Sequence, residues 1–211
     1  MSARDRILGR IAAKLGISQP VDIEMYIQSH PRGPAPAMEQ DSVVRFKDRA
    51  SKLSSDVMEV AQLDDAPAAV ARYLRERHLP VQAVCWPQFG SLGWDAAGLK
   101  VESRKAIGQD MVGITGVFCA IAETGTLMLL SGPDTPASMS LLPETHVAIL
   151  PLDRIVPSME DAWALLRKEK GQLPRAVNFI SGPSRTADIE QTVTLGAHGP
   201  YRVLIVLVGA L

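Results

Sequence analysis

Short, largely apolar runs bounded by chain breakers constrain this chain most. They cover residues 81–85, 126–130, 146–150, 176–180 and 201–208. Each is strand-sized, and each is closed by glycine or proline: Trp86-Pro87, Ser131-Gly132-Pro133, Pro151, Ser181-Gly182-Pro183 and Gly209. A run of this length with no polar alternation reads as a strand buried on both faces, the pattern of parallel sheets covered by helices. Residues 126–130 show it most plainly. Shorter strand signals fall at 57–60 and, interrupted by Gly113, at 110–115.

Helical spacing fills much of the space between. Ser2 can cap a helix with Ile7, Leu8, Ile11, Ala12 and Leu15 in register and Gly16 as its stop. Asp41 opens a second, with Val43, Val44, Phe46, Ala50 and Leu53 on one face. Pro67 sits at the first turn of a third that runs to Arg77. Ser158 caps another, with Ala162, Leu165 and Leu166 inward and Gly171 and Pro174 ending it. Residues 116–122 are small and read as a turn or helix, and 136–142 as a loop or short helix. Trp86, Phe89 and Trp94 stand in an irregular loop and are expected to cover the edge of a core. Residues 19–38 contain Pro31, Pro34 and Pro36 and read as a tether. The expectation is an α/β domain, residues 41–211, with a mostly parallel sheet and helices on both faces. An N-terminal helix and proline-rich linker, residues 1–40, precede it.

Composition narrows the function. The formal net charge is −1 and aromatics make up 5% of 211 residues, so neither a basic nucleic-acid footprint nor a stacking platform is expected. The cysteines, Cys85 and Cys119, sit in apolar surroundings and read as buried free thiols. With no CxxC pair, neither a structural zinc nor an iron–sulfur cluster is expected from this chain. His30, His78 and His146 have no carboxylate or histidine at ligand spacing, so no metal is expected. The charged start, Arg4-Asp5-Arg6, is unlike a secretory signal, and no apolar stretch approaches the ~20 residues of a membrane helix. A cytoplasmic setting with no membrane span is expected.

Three polar constellations remain. In Glu123-Thr124-Gly125-Thr126 the carboxylate is alone in an apolar neighbourhood. It can serve as general acid or base, or it can cap a helix. In Gly182-Pro183-Ser184-Arg185-Thr186, Ser184 or Thr186 can cap a following helix, with Asp188 and Glu190 favourable in its first turn. The same stretch can recognise an anion through free N–H groups and the Arg185 fork. His198 lies in the Gly196-Ala197-His198-Gly199-Pro200 turn and can act as a base or pack over the sheet edge. These loops leave apolar runs, and the carboxyl ends of sheet strands are where a ligand is expected. Ser184, His198 and Asp188 lack the GxSxG elbow of a hydrolase, and no Walker or GxGxxG loop follows a strand.

With these in hand, the chain resembles the LUD (lactate-utilization) family. The resemblance rests on Gly113-Ile114-Thr115, on Ala120-Ile121-Ala122-Glu123-Thr124-Gly125-Thr126, on Leu142-Pro143, on the stretch from Ser181 to Glu190, and on Gly196 to Pro200. It covers the chain from Asp41 to its end. It implies a fold like that of ribose-5-phosphate isomerases, glucosamine-6-phosphate deaminases and CoA transferases. It implies a part in converting L-lactate to pyruvate, beside A- and B-type components that carry iron–sulfur centres. This chain would hold no cofactor. Glu123 and His198 would be catalytic. Thr124, Gly125, Thr126, Gly182, Pro183, Ser184, Arg185, Thr186 and Asp188 would bind a small carboxylate or phosphorylated ligand. The alternative is a free-standing enzyme or binding protein for sugar phosphates or acyl-CoA compounds.

Overall fold

A computed structural model describes residues 2–16, 22–30, 33, 41–186, 194–196 and 198–210. The chain divides into two units, Met1–Ala37 and Met38–Leu211. Among the described residues no helix is long and apolar enough to cross a membrane.

The first unit contains α1 (Ala3–Leu15) and α2 (Ile23–Ser29). Ser2 and Asp5 form a reciprocal capping box at the start of α1, and Gly16, at φ 67°, ends it. The expected tether is partly wrong, because α2 lies inside it. Asp22 caps α2 by accepting from the Met25 N–H at 3.1 Å. Proline restricts itself and the residue before it. Pro31, Pro34 and Pro36 therefore do not prevent a helix that ends at Ser29.

The second unit opens with α3 (Ser42–Lys52), β1 (Asp56–Gln62), α4 (Ala66–Glu76), β2 (Gln82–Cys85), β3 (Lys100–Ser103) and β4 (Val112–Gly116). Then come β5 (Cys119–Ile121), β6 (Thr126–Leu130), α5 (Ser138–Leu141), β7 (Thr145–Pro151), β8 (Ile155–Val156) and α6 (Met159–Lys170). β9 (Val177–Ile180), β10 (Arg185–Thr186), β11 (Thr194–Leu195) and β12 (Arg202–Ala210) complete it. The α/β expectation holds. Six strands form a wholly parallel sheet in the order β1-β12-β7-β4-β2-β3, and α3, α4 and α5 pack on its strands.

A second sheet departs from the expectation. Its order is β8-β5-β6-β9, with β6 antiparallel to both β5 and β9. Residues 116–122 are therefore neither a simple turn nor a helix: β5 lies within them. The apolar runs at 126–130 and 176–180 belong to this mixed sheet rather than to the parallel one. The reason is visible in the packing. Ala120, Leu127 and Leu129 point into the main core, while Cys119, Ile121 and Met128 join Ala162 and Leu166 of α6 in a second core. An antiparallel strand between two cores shows the same unbroken apolar run as a parallel one.

Local caps match the sequence closely. Asp41 accepts from the N–H groups of Val43 and Val44, at 2.9 and 3.2 Å. Phe46 and Ala50 of α3 are fully buried, but Val44, expected on the same face, is 56% exposed. Ser158 caps α6 through the Asp161 N–H. Phe89 and Trp94 cover the core edge as expected, with the Trp94 Nε1–H donating to the Phe89 carbonyl at 2.7 Å. Cys85 and Cys119 are buried free thiols, and burial pushes them up to about 11 and about 12. On β7, His146 is fully buried, with Nε2 2.8 Å from Thr115 Oγ1.

Candidate functional site

The site is built on the C-terminal end of α3. The last carbonyls of a helix have no partner inside it. Here the chain turns through Ser54, in the left-handed region at φ 67°, before entering β1. Arg185 Nη2 donates to the Leu53 carbonyl at 3.2 Å and to the Ser54 hydroxyl. The guanidinium thus completes the helix end from the far end of the sequence.

Two glycines bring the motif loops against the same helix end. Gly125 has φ +72°, and a Cβ there would lie 2.5 Å from the Ala50 nitrogen and 2.6 Å from the Arg49 carbonyl carbon. Gly182 has φ +81°, and its Cβ would collide with the Leu53 carbonyl oxygen. Both positions need the left-handed conformation and the missing side chain at once. Hydroxyls link the two loops. The Thr124 hydroxyl donates to Thr126 Oγ1 at 2.8 Å, and Thr126 Oγ1 lies 2.7 Å from Ser181 Oγ. The histidine turn joins through backbone. The Ser184 N–H donates to the Pro200 carbonyl and the Gly196 N–H to the Ser184 carbonyl, both at 2.9 Å. Gly199 passes beside Ser184, where a Cβ would sit 3.2 Å from the serine Cβ.

The three constellations therefore assemble, but neither Glu123 nor His198 shares a hydrogen bond with Arg185 among the described residues. Glu123 is half-buried, with its N–H donating to the Pro157 carbonyl at 3.0 Å and no hydrogen bond to its carboxylate among the described residues. His198 is exposed. Ser184 does not cap a helix at this point: Arg185 and Thr186 form β10, paired antiparallel with β11. Asp188 lies outside the described residues.

A cavity of about 530 Å³ opens beside the helix end, lined by Ser54, Asp56, Arg77, Pro183, Arg185 and Arg202 among others. Neither Glu123 nor His198 lines it. Asp56 begins β1 and Arg202 begins β12, so the cavity lies at the amino ends of the parallel strands and not at the expected carboxyl ends. Its charges are largely assigned. The Tyr73 hydroxyl donates to Asp56 Oδ2 at 2.8 Å, and Arg77 Nη2 donates to Oδ1 at 2.7 Å. Arg77 also lies 4.8 Å over the Tyr73 ring. Burial, then the Asp56 carboxylate, hold the Tyr73 proton well above the usual phenol range. Asp56 is thus spent on Arg77, leaving the positive charges of Arg185 and Arg202. The Arg202 side chain has no hydrogen bond among the described residues. Arg77 and Arg202 belong to no motif. Their only sequence sign is that Arg202 stands directly before the apolar run of β12, where a charge must lie at the strand's mouth.

Comparison with known proteins gives one family. The LUD domain model matches residues 43–208. Lactate utilization protein C of Bacillus licheniformis is 31% identical, over 97% of this chain and 95% of its own length. The protein of the same name from Exiguobacterium sp. is 35% identical, over 82% and 80%. A solved DUF162 family protein from Deinococcus radiodurans matches 82% of this chain and 100% of its own, with a TM-score of 0.61 at 21% identity. That likeness is one of fold.

Proposed function

We propose, since this chain belongs to the LUD domain family, that it serves in lactate utilization as a component without a redox centre, and that its arginine cavity holds a small carboxylate. The observation that carries the binding proposal is the unbalanced charge of the cavity. Asp56 is taken by Arg77 and Tyr73, while Arg202 has no partner among the described residues and Arg185 presents the rest of its fork. A guanidinium fork matches a carboxylate in geometry and charge. Ser51, Ser54 and Ser55 at the rim offer hydroxyls to a neighbouring oxygen of the ligand. The iron–sulfur A- and B-type components are the proposed partners. Ile7, Leu8, Ile11 and Leu15 of α1 are exposed and supply an apolar face for such contact.

Titration of the purified protein with L-lactate and pyruvate is expected to show saturable binding. Arg202→Ala should weaken it by about 1.5–3 kcal/mol, or about ten- to a hundredfold. Equal affinity in Arg202→Ala would remove the cavity from the proposal. In the cell, deleting the gene should abolish growth on L-lactate and leave growth on pyruvate intact. Unimpaired growth on L-lactate in a strain with no paralogue would overturn the lactate role.

A second reading keeps the cavity and changes its occupant. Two guanidinium groups fit a phosphate as well as a carboxylate, which suits a sugar phosphate or acyl-CoA compound. In that case inorganic phosphate binds where L-lactate does not. Glu123 and His198 do not line the cavity, so neither is assigned a step on that occupant, and Arg202→Ala should weaken phosphate binding as it would lactate binding.

A further inference from the structure

The other end of the parallel sheet carries a different opening. β2 continues to β3 on one side of itself, while the chain leaving β4 ends up in β7 on the opposite side. Loops that leave two adjacent strands in opposite directions open a crevice between their carboxyl ends. In open α/β sheets such switch points are where ligands sit. We propose that this crevice is a second small-molecule site, independent of the arginine cavity, for a planar aromatic or heteroaromatic compound bearing one acidic group.

The crevice encloses about 440 Å³, within the range of small-molecule sites of about 300–1,000 Å³. Its floor is made by an absence. Gly116 closes β4, and a Cβ there would lie 2.6 Å from Gln88 Nε2 and 3.3 Å from Phe89 Cζ. Any other residue would fill the space and displace the glutamine amide. Its walls are apolar where Trp86, Val117, Phe118 and Leu130 line them, with the Arg154 guanidinium 4.9 Å over the Phe118 ring. Rings offer such a wall to another ring.

Its polar groups are few and unspent. The Trp86 indole Nε1–H is buried with no acceptor, in contrast to Trp94, whose Nε1–H is satisfied. A buried donor without a partner is a cost that an arriving acceptor removes. The Gln88 amide has no hydrogen bond among the described residues. Ser131 Oγ accepts from the Ala176 N–H at 2.8 Å and keeps its own proton to give. The charge comes from Lys170, the last residue of α6, which has no ion pair among the described residues. The neighbouring charges are already matched. Arg154 holds both oxygens of Glu169, at 2.6 and 2.9 Å, so the carboxylate is paired first with Arg154 and only more weakly with Lys170. The result is one cation, a few free hydrogen-bonding groups and a wall that includes two aromatic rings.

The test uses 2-naphthoate as the probe, titrated calorimetrically into the full chain. Saturable one-to-one binding at millimolar probe is expected, with cyclohexanecarboxylate, which carries the same charge on a puckered ring, binding more weakly. Lys170→Ala should weaken 2-naphthoate by about tenfold, and Arg202→Ala should leave it unchanged. As a second readout, the indole N–H resonance of Trp86, assigned by its loss in Trp86→Phe, should move on titration. Absence of saturable binding, equal affinity in Lys170→Ala, or loss in Arg202→Ala would each overturn the proposal. Only loss in Arg202→Ala would place the probe in the arginine cavity; the other outcomes leave L-lactate binding there untouched.

Discussion

Gly182→Ala is expected to destabilise the protein by about 2–5 kcal/mol, through backbone strain and overpacking together. The backbone there is left-handed at φ +81°, and the added methyl would meet the Leu53 carbonyl oxygen at the end of α3. Neither atom is the free end of a flexible side chain, so relief requires moving the helix or the loop. Gly125→Ala belongs to the same class, with its collision at Ala50 and Arg49. Gly171 supplies the internal control. It also has a positive φ, +63°, but nothing lies within 4 Å of its ideal Cβ. Gly171→Ala therefore carries only the backbone cost of a disfavoured φ/ψ, about 1–3 kcal/mol. Urea midpoints of the three variants measure the difference. Equal losses at Gly182 and Gly171 would mean that the loop does not press on α3, and that Arg185 is not held at the helix end.

The second large effect is in the pH dependence of stability, and it comes from His146. The ring is fully buried, its Nδ1 has no partner, and desolvation pushes its pKa down to about 4 from the usual 6.5. The unfolded chain binds the proton near its ordinary value, while the folded chain refuses it until about pH 4. Stability is therefore complete above about pH 6.5, falls as the pH drops towards 4, and is flat below that as far as this group is concerned. The loss across that window is on the order of 3 kcal/mol. His146→Gln keeps a polar side chain and removes the titration. Urea unfolding of both proteins at neutral pH and near pH 4.5 separates this from the carboxylates that Arg104 and Arg154 hold down, Asp110 and Glu169, because those contribute equally to both. An identical acid loss in His146→Gln would show that the ring is not the group responsible.

Much of this fold is legible in local chemistry. Ser2, Asp41 and Ser158 start helices because each side chain satisfies an N–H of the first turn, and that is settled within three residues. The parallel order is less legible, because an apolar run reports burial and not direction. Thr126 to Leu130 is buried on both faces, but between α6 and the main core, a distinction carried by partners more than thirty residues away. The short strands β3 and β8 have exposed or half-buried residues and no apolar period to announce them. The site divides the same way. Gly125, Gly182 and Arg185 stand out in their motifs, but their common seat on α3 depends on a helix that ends at Lys52, remote from both. Arg77 and Arg202 enter only when β1 and β12 lie side by side.

That last pairing bears on how the protein is made. β12 follows every other strand of the parallel sheet in sequence, yet lies in its interior, between β1 and β7. As the polypeptide leaves the ribosome, β1 emerges long before the strand it must pair with, and β7 waits with one edge open. Both carry unpaired backbone and apolar side chains until β12 arrives. Parallel pairing over such a separation is intrinsically slow and exposes sheet edges to other chains. The arginine cavity is completed by the same event, since Arg202 enters with β12. A nascent chain that lacks β12 therefore has an open sheet and no finished site, so closing the sheet and completing the cavity are one event.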